Sequence, residues 1–180
     1  MTEEKLPGAQ RRNLLLNWLK TAENPMKGSE LARRTNVSRQ VIVQDISLLK
    51  ALNEPIIATS QGYIYHSKET PPIQQHEKLV ACRHSPQQTV DELYLIVDFG
   101  VLVKDVIIEH PVYGDLTASI MVSNRREVDE FMEKIRASKA SYLSQLTDGL
   151  HLHTLAADTP EKLQQVKKAL QAAGYLAQED

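Results

Sequence analysis

The apolar positions in the first third of the chain repeat with helical spacing. Between residues 8 and 22 they fall at Leu14, Leu15, Trp18, Leu19 and Ala22, the stripe of an amphipathic helix that Pro25 closes off. A short second helix is expected over Ser29–Thr35, with Leu31 and Ala32 inward and Arg33 and Arg34 outward. Asn36-Val37 interrupts it. Ser38 then reads as an N-cap whose hydroxyl accepts an orphan amide. A third helix runs from there to about Ala51 and buries Ile42, Ile46 and Leu49. After Pro55 the period changes to that of a strand pair, Ile56–Thr59 and Tyr63–Tyr65 around Ser60-Gln61-Gly62.

Residues 67–76 are polar and contain a Pro-Pro pair, so a linker is placed there. Beyond it helix and strand periods alternate. Lys78–His84 reads as a strand. Pro86–Phe99 reads as a helix with Pro86 in its first turn and Val90, Leu93, Tyr94 and Val97 inward. Val101–Glu109 and Leu116–Val122 read as strands joined through a turn at Pro111–Asp115. Arg125–Ser138 is helical, Leu150–Ala156 is a strand, and a last helix starts at Thr159-Pro160 and ends at Gly174. The expected fold is α+β. An N-terminal winged helix-turn-helix over residues 6–66 precedes a ferredoxin-like split βαβ domain over 77–178, with helices on one face of the sheet.

Composition narrows the class. The chain has 180 residues, 42% hydrophobic and 24% charged, ordinary values for a folded protein of one or two domains. No apolar run approaches the roughly 18–20 residues of a membrane span, and Met1–Lys5 lacks the pattern of a signal peptide. The single Cys excludes an internal disulfide and a zinc site built on cysteines. An intracellular, cytoplasmic protein with no membrane partner is expected. The net charge of −2 conceals an asymmetry. Residues 1–68 carry ten Lys and Arg against six Asp and Glu, whereas the remainder is acidic, and no histidine precedes His66. Two domains with different partners are expected.

The basic half has the parts of a DNA reader. In a helix-turn-helix the second helix enters the major groove of double-stranded DNA, N-terminal end first. Ser38, Arg39, Gln40 and Gln44 supply polar groups there, and Val43 suits a thymine methyl. Arginine pairs with guanine and glutamine with adenine, each good pair discriminating by about 1–3 kcal/mol. Lys50, Arg11, Arg12, Arg33 and Arg34 are candidates for phosphate contacts.

The acidic half has the parts of a metal site. His151 and His153 are two apart in a strand and so share a face. His84 ends another strand, and Glu92 follows eight residues later in the next helix, with Asp91 as its rival. Three imidazoles and a carboxylate suit Zn²⁺, Ni²⁺, Fe²⁺ or Mn²⁺. His110 opens the turn His110-Pro111-Val112-Tyr113-Gly114-Asp115, which either needs Gly114 for its geometry or holds a ligand. Cys82 reads as a packing residue.

Taken together, the winged-helix segment, Arg83-His84, the His110–Asp115 turn and Gly149-Leu150-His151-Leu152-His153-Thr154 resemble the niacin-responsive transcriptional repressors of NAD biosynthesis in Gram-positive bacteria, the NiaR type. The resemblance spans nearly the whole chain. It implies a homodimeric repressor that binds double-stranded operator DNA, with nicotinic acid as co-repressor. It implies one divalent transition metal per chain held by His84, Glu92, His151 and His153, with His110 and Tyr113 as candidates for contact with the effector. No enzymatic activity is implied. Two alternatives stay open on the residues alone. One is a repressor that senses another small molecule, such as nicotinamide or an amino acid. The other is a metal-dependent hydrolase with a passenger DNA-binding domain.

Overall fold

A computed structural model of the protein describes residues 6–66 and 76–177. The linker expected at 67–76 lies outside the described residues, except for His76, which already begins a strand. The chain divides into two compact units, with the division between Pro71 and Pro72.

The first unit is built from α1 (Gly8–Thr21), α2 (Gly28–Arg34), α3 (Arg39–Ala51) and a two-stranded wing, β1 (Ile56–Ala58) and β2 (Tyr63–Tyr65). The turn between α2 and α3 follows from Asn36, which adopts a left-handed φ of 51°. Val37 N–H then reaches back to the Ala32 carbonyl, ending α2 with its last carbonyls satisfied. Ser38 caps α3 and accepts the Val41 amide at 3.4 Å, as its position in the sequence predicts. Leu15, Leu19, Leu31, Ile42, Ile46, Leu49 and Ile56 form the core. The wing is tied to the helices by paired backbone bonds between Met26 and Tyr63. That close approach requires Gly62, whose φ is +144° and where a Cβ would lie 2.5 Å from the Met26 carbonyl oxygen.

The second unit runs β3 (His76–Arg83), α4 (Thr89–Asp98), β4 (Leu102–His110), β5 (Gly114–Val122), α5 (Arg125–Ser138), β6 (Leu150–Ala157) and α6 (Pro160–Ala172). A single 3-10 turn at Pro86–Gln88 precedes α4. The four strands form an antiparallel sheet in the order β3-β6-β4-β5. Both split βαβ connections are present, since β6 lies between β3 and β4, and β4 lies between β5 and β6. The order is a variant of the ferredoxin-like one. There the first strand is central; here β3 is at the edge and β6 is inside. This placement puts the His-x-His strand in the middle of the sheet. Cys82 sits directly opposite His151, and Val80 opposite His153.

One face of the sheet is covered. Val80, Cys82, Val103, Ile120, Val122, Leu155 and Ala157 pack against Leu93, Ile96, Val128, Met132, Leu163, Val166 and Leu170 from the helices. His151 and His153 continue the buried row of Leu155 and Ala157 on β6. The sequence alternation thus carries two polar rings into the core face. No helix among the described residues is long and apolar enough to cross a membrane.

Candidate functional site

Four side chains distant in the chain meet at the end of the covered face. Glu92 is fully buried on the sheet-facing side of α4, beside Leu93 and Ile96. Its Oε2 lies 2.7 Å from His84 Nε2 and 3.4 Å from both His151 Nε2 and His153 Nε2. Asp91, the rival in sequence, is exposed. The local backbone that brings the ends of β3 and β6 together depends on Gly149. Its φ is +84°, and a Cβ there would lie 2.3 Å from the His84 carbonyl oxygen. The Gly149 carbonyl also accepts from His151 Nδ1 at 2.8 Å.

The outer nitrogens fix the tautomers. His84 Nδ1 donates to the Ser85 carbonyl at 2.9 Å, His151 Nδ1 to Gly149, and His153 Nδ1 to the Asp105 carbonyl at 2.6 Å. A carbonyl only accepts, so each Nδ1 carries the proton and each Nε2 faces Glu92. Three bare lone pairs around a carboxylate oxygen repel it, and three added protons would crowd three cations together. A divalent cation would resolve both problems: His84, Glu92 and His151 offer ligand atoms that all lie within 4.8 Å of one another, and His153 Nε2 faces the same carboxylate oxygen. Histidine ligands oriented in this way by backbone carbonyls are the usual support of a metal. Ligand atoms of a tetrahedral ion at about 2.1 Å lie about 3.4 Å apart, and two of the three contacts already have that spacing. Glu92 Oε1 is buried and has no hydrogen-bond partner among the described residues. The donor set therefore fits a divalent transition ion.

Electrostatics tie the four groups to one another. Burial pushes the Glu92 carboxyl up, but His153 and the hydrogen bonds from the three imidazoles outweigh it and hold it well below the usual carboxylate range. Burial pushes His84 and His153 down, yet their contacts with Glu92 raise both above the ordinary histidine value. Burial and the neighbouring Glu92 push the Cys82 thiol far up, so it stays protonated in the core.

Beside the cluster is a cavity of about 140 Å³. Its walls are mainly apolar, from Leu93, Val106, Ile120, Phe131 and Tyr142, with the three histidines, Glu92 and Thr89 at one end. His110 and Tyr113 do not line it. His110 Nδ1 instead accepts the amides of Val112 and Tyr113, at 3.1 and 3.3 Å, and so shapes the β4–β5 turn, while Tyr113 is 74% exposed.

In the first unit Ser38, Arg39, Gln40, Val43, Gln44 and Lys50 are all exposed on α3, with Ile42, Asp45, Ile46 and Leu49 on its buried side. Ser38 has its hydroxyl engaged as the cap. Arg11, a candidate phosphate ligand in sequence, is committed elsewhere: its Nε lies 2.5 Å from Asp45 Oδ2, and Asp45 is 2% exposed. Arg12 reaches the same carboxylate at 3.4 Å. These bonds fasten α3 to α1. Arg34 pairs with Glu30 and lies over the Trp18 ring, whereas Arg33 is exposed.

Sequence reasoning missed three residues. Asp45 could have been found as a carboxylate within the apolar stripe of α3, which a buried partner must match. Asp105 interrupts an apolar strand in the same way. Its carbonyl holds His153, and its carboxylate accepts the Thr154 amide at 2.9 Å. Thr89 gave no signal, because only the cavity beside it makes its position notable.

Comparison with known proteins agrees with both halves. Residues 11–64 match the model of an HTH domain, and residues 77–179 match that of the 3H domain. The chain is 60% identical over 177 residues to "Transcription repressor NadR" of Bacillus subtilis (strain 168), covering 98% of each chain. It is 36% identical over 170 residues to "Probable transcription repressor NiaR" of Thermotoga maritima, covering 94% of this chain and 95% of the relative. The chain belongs to the HTH–3H family of transcription repressors. Membership makes it a DNA-binding regulator and not an enzyme, so the hydrolase alternative falls away. Within this HTH–3H architecture, the histidine cluster and its cavity belong entirely to the 3H domain.

Proposed function

We propose that this HTH–3H protein is a cytoplasmic, homodimeric repressor of genes for NAD biosynthesis or niacin transport, with nicotinic acid as co-repressor. Each chain holds one divalent transition metal through His84, Glu92, His151 and His153. The observation that carries the reading is the set of three imidazoles, each tied at Nδ1 to a carbonyl and turned with Nε2 toward one buried carboxylate, beside a ring-sized cavity. The names of the two relatives, NadR and NiaR, support the link to NAD and niacin.

When bound, the metal supplies a Lewis-acidic anchor for the effector's carboxylate or pyridine nitrogen. The chain's own residues do the rest. The Ser85, Gly149 and Asp105 carbonyls hold the imidazole rings, Glu92 balances charge, and the apolar walls exclude water from the ring of the effector. Ser38, Arg39, Gln40, Val43, Gln44 and Lys50 face the operator, and a dimer presents two such helices to a two-fold site. Effector that binds the DNA-competent state more tightly shifts the population toward repression. The shift is no larger than its differential affinity, typically about 1–3 kcal/mol.

The test is operator affinity at fixed salt with and without nicotinic acid, on protein whose metal content has been measured by elemental analysis. Nicotinic acid should tighten binding about 5- to 150-fold. Equal affinity in its presence and absence would remove it as the co-repressor.

A further inference from the structure

The cavity of the 3H domain contains a polar atom that the fold leaves without work. Thr89 opens α4 three residues before Glu92, so the two side chains share a helix face. Both line the cavity. Thr89 Oγ1 is buried and, like Glu92 Oε1, has no hydrogen-bond partner among the described residues. A helical threonine ordinarily turns its hydroxyl to a nearby carbonyl. Here the Ser85 carbonyl, one turn earlier, is taken by His84 Nδ1–H and by the Gln88 amide. An unpaired buried hydroxyl destabilises a fold, and valine has the same shape without that cost. The rest of the chamber is mainly apolar, with Ser119, Ser141, Ser144 and Tyr142 as its other hydroxyl-bearing residues. Its volume of about 140 Å³ is close to that of a protein cavity that takes up benzene, about 150 Å³.

We propose that Thr89 is the specificity-determining residue of this cavity: its hydroxyl donates to the carboxylate of a flat, single-ring acid whose ring occupies the apolar part beside Phe131 and Ile120. The inference rests on reading the cavity as the effector site. Three neutral imidazoles and one carboxylate leave a divalent ion with net positive charge, which favours an anionic ring compound over a neutral one. Glu92 can only accept, so it repels a second carboxylate. The Thr89 O–H, unpaired and on the same helix face as Glu92, is the donor that takes the effector's free oxygen.

The experiment is calorimetric titration of the zinc-loaded full chain with nicotinic acid, nicotinamide and benzoic acid, in wild type, Thr89→Val and Thr89→Ser. Zinc content and the Tm without effector are read on the same samples. Thr89→Val should weaken nicotinic acid about tenfold or more, and Thr89→Ser should stay within about threefold of wild type. Zinc content should not change in either. The Tm of effector-free Thr89→Val should be equal to or above that of wild type, because an unpaired hydroxyl has been replaced by a methyl. A threonine with a merely structural role would show the reverse, a lower Tm and unchanged affinity, and that result overturns the proposal. Wild type that binds nicotinamide as tightly as the acid overturns selection for a carboxylate. Undiminished binding of nicotinic acid by Thr89→Val overturns the role of Thr89 and leaves the co-repressor reading intact. Wild type that binds none of the three compounds overturns both.

Discussion

The arrangement around Glu92 makes the metal-free and metal-loaded proteins respond to pH in opposite directions. Without a cation, contact with Glu92 raises His84 and His153 above the ordinary value of 6.5. A histidine raised in the fold stabilises it fully below the unfolded value and ceases to do so as pH rises through the folded one. Glu92 is held well below 4.5. Its contribution is complete above 4.5 and is lost only as pH falls through its depressed folded value. The metal-free 3H domain is therefore most stable between about pH 4.5 and 6.5 and weakens as pH rises further. Each proton contributes a slope of at most about 1.4 kcal/mol per pH unit, so the two raised histidines give a fall of up to about 2.7. With metal the sign reverses, because all three Nε2 atoms must be bare to ligate. Protons then compete with the ion, and stability rises with pH by up to about 4 kcal/mol per unit where the free histidines would be protonated. In a domain of about 100 residues each kcal/mol moves Tm by roughly 4–8 °C. The assay is calorimetric melting of the full chain from pH 5.5 to 8.5, in EDTA or in excess zinc. Trp18 is the only tryptophan and belongs to the first unit, so its fluorescence identifies that unit's transition separately. Slopes of the same sign with and without zinc would refute the reasoning, as would a 3H transition that ignores zinc.

Arg39→Ala should weaken specific operator binding by about 1–3 kcal/mol while leaving metal content and both melting transitions unchanged, as read by gel shift at constant salt. Gly149→Ala should lower both the metal content and the Tm of the 3H domain although it removes no ligand. Its Cβ would press on the His84 carbonyl and displace the carbonyl that holds His151; elemental analysis that still finds a full complement of metal would contradict this.

The elements of both units were legible in the sequence because periodicity reports burial directly. Ile42, Ile46 and Leu49 face the core, and Arg39, Gln40 and Gln44 face out, as their spacing requires. His151 and His153 shared a strand face by alternation alone. What alternation could not supply was the strand order. Whether β6 or β3 lies inside the sheet depends on contacts between residues some 70 positions apart, such as Cys82 with His151. Glu92 rather than Asp91 was legible only through the family resemblance, until the packing of α4 placed one inward and the other in solvent. The arginines show the limit from the other side. Arg11 and Arg33 are equally basic in sequence, but only a fold in which Asp45 is buried spends the first on holding α3 and leaves the second on the surface.

A cluster of this kind is a poor way to make a domain stable. Buried ionic groups can often be exchanged for well-packed apolar ones with no loss, or with a gain of about 1–4 kcal/mol. Among the described residues the 3H domain also keeps two buried oxygens without a hydrogen-bond partner, which cost about 1–3 kcal/mol each. Its cavity of about 140 Å³ leaves the atoms that line it short of packing partners. These deficits lie together, around Thr89 and Glu92, and not scattered through the core. On the proposed function such a deficit is useful, because the free energy recovered when an ion and an effector fill the site is what can be coupled to DNA binding. A coupling of about 1–3 kcal/mol requires only a fraction of it. The fraction that counts is the part that differs between the DNA-competent state and its alternative, since filling both states equally would stabilise the domain and regulate nothing.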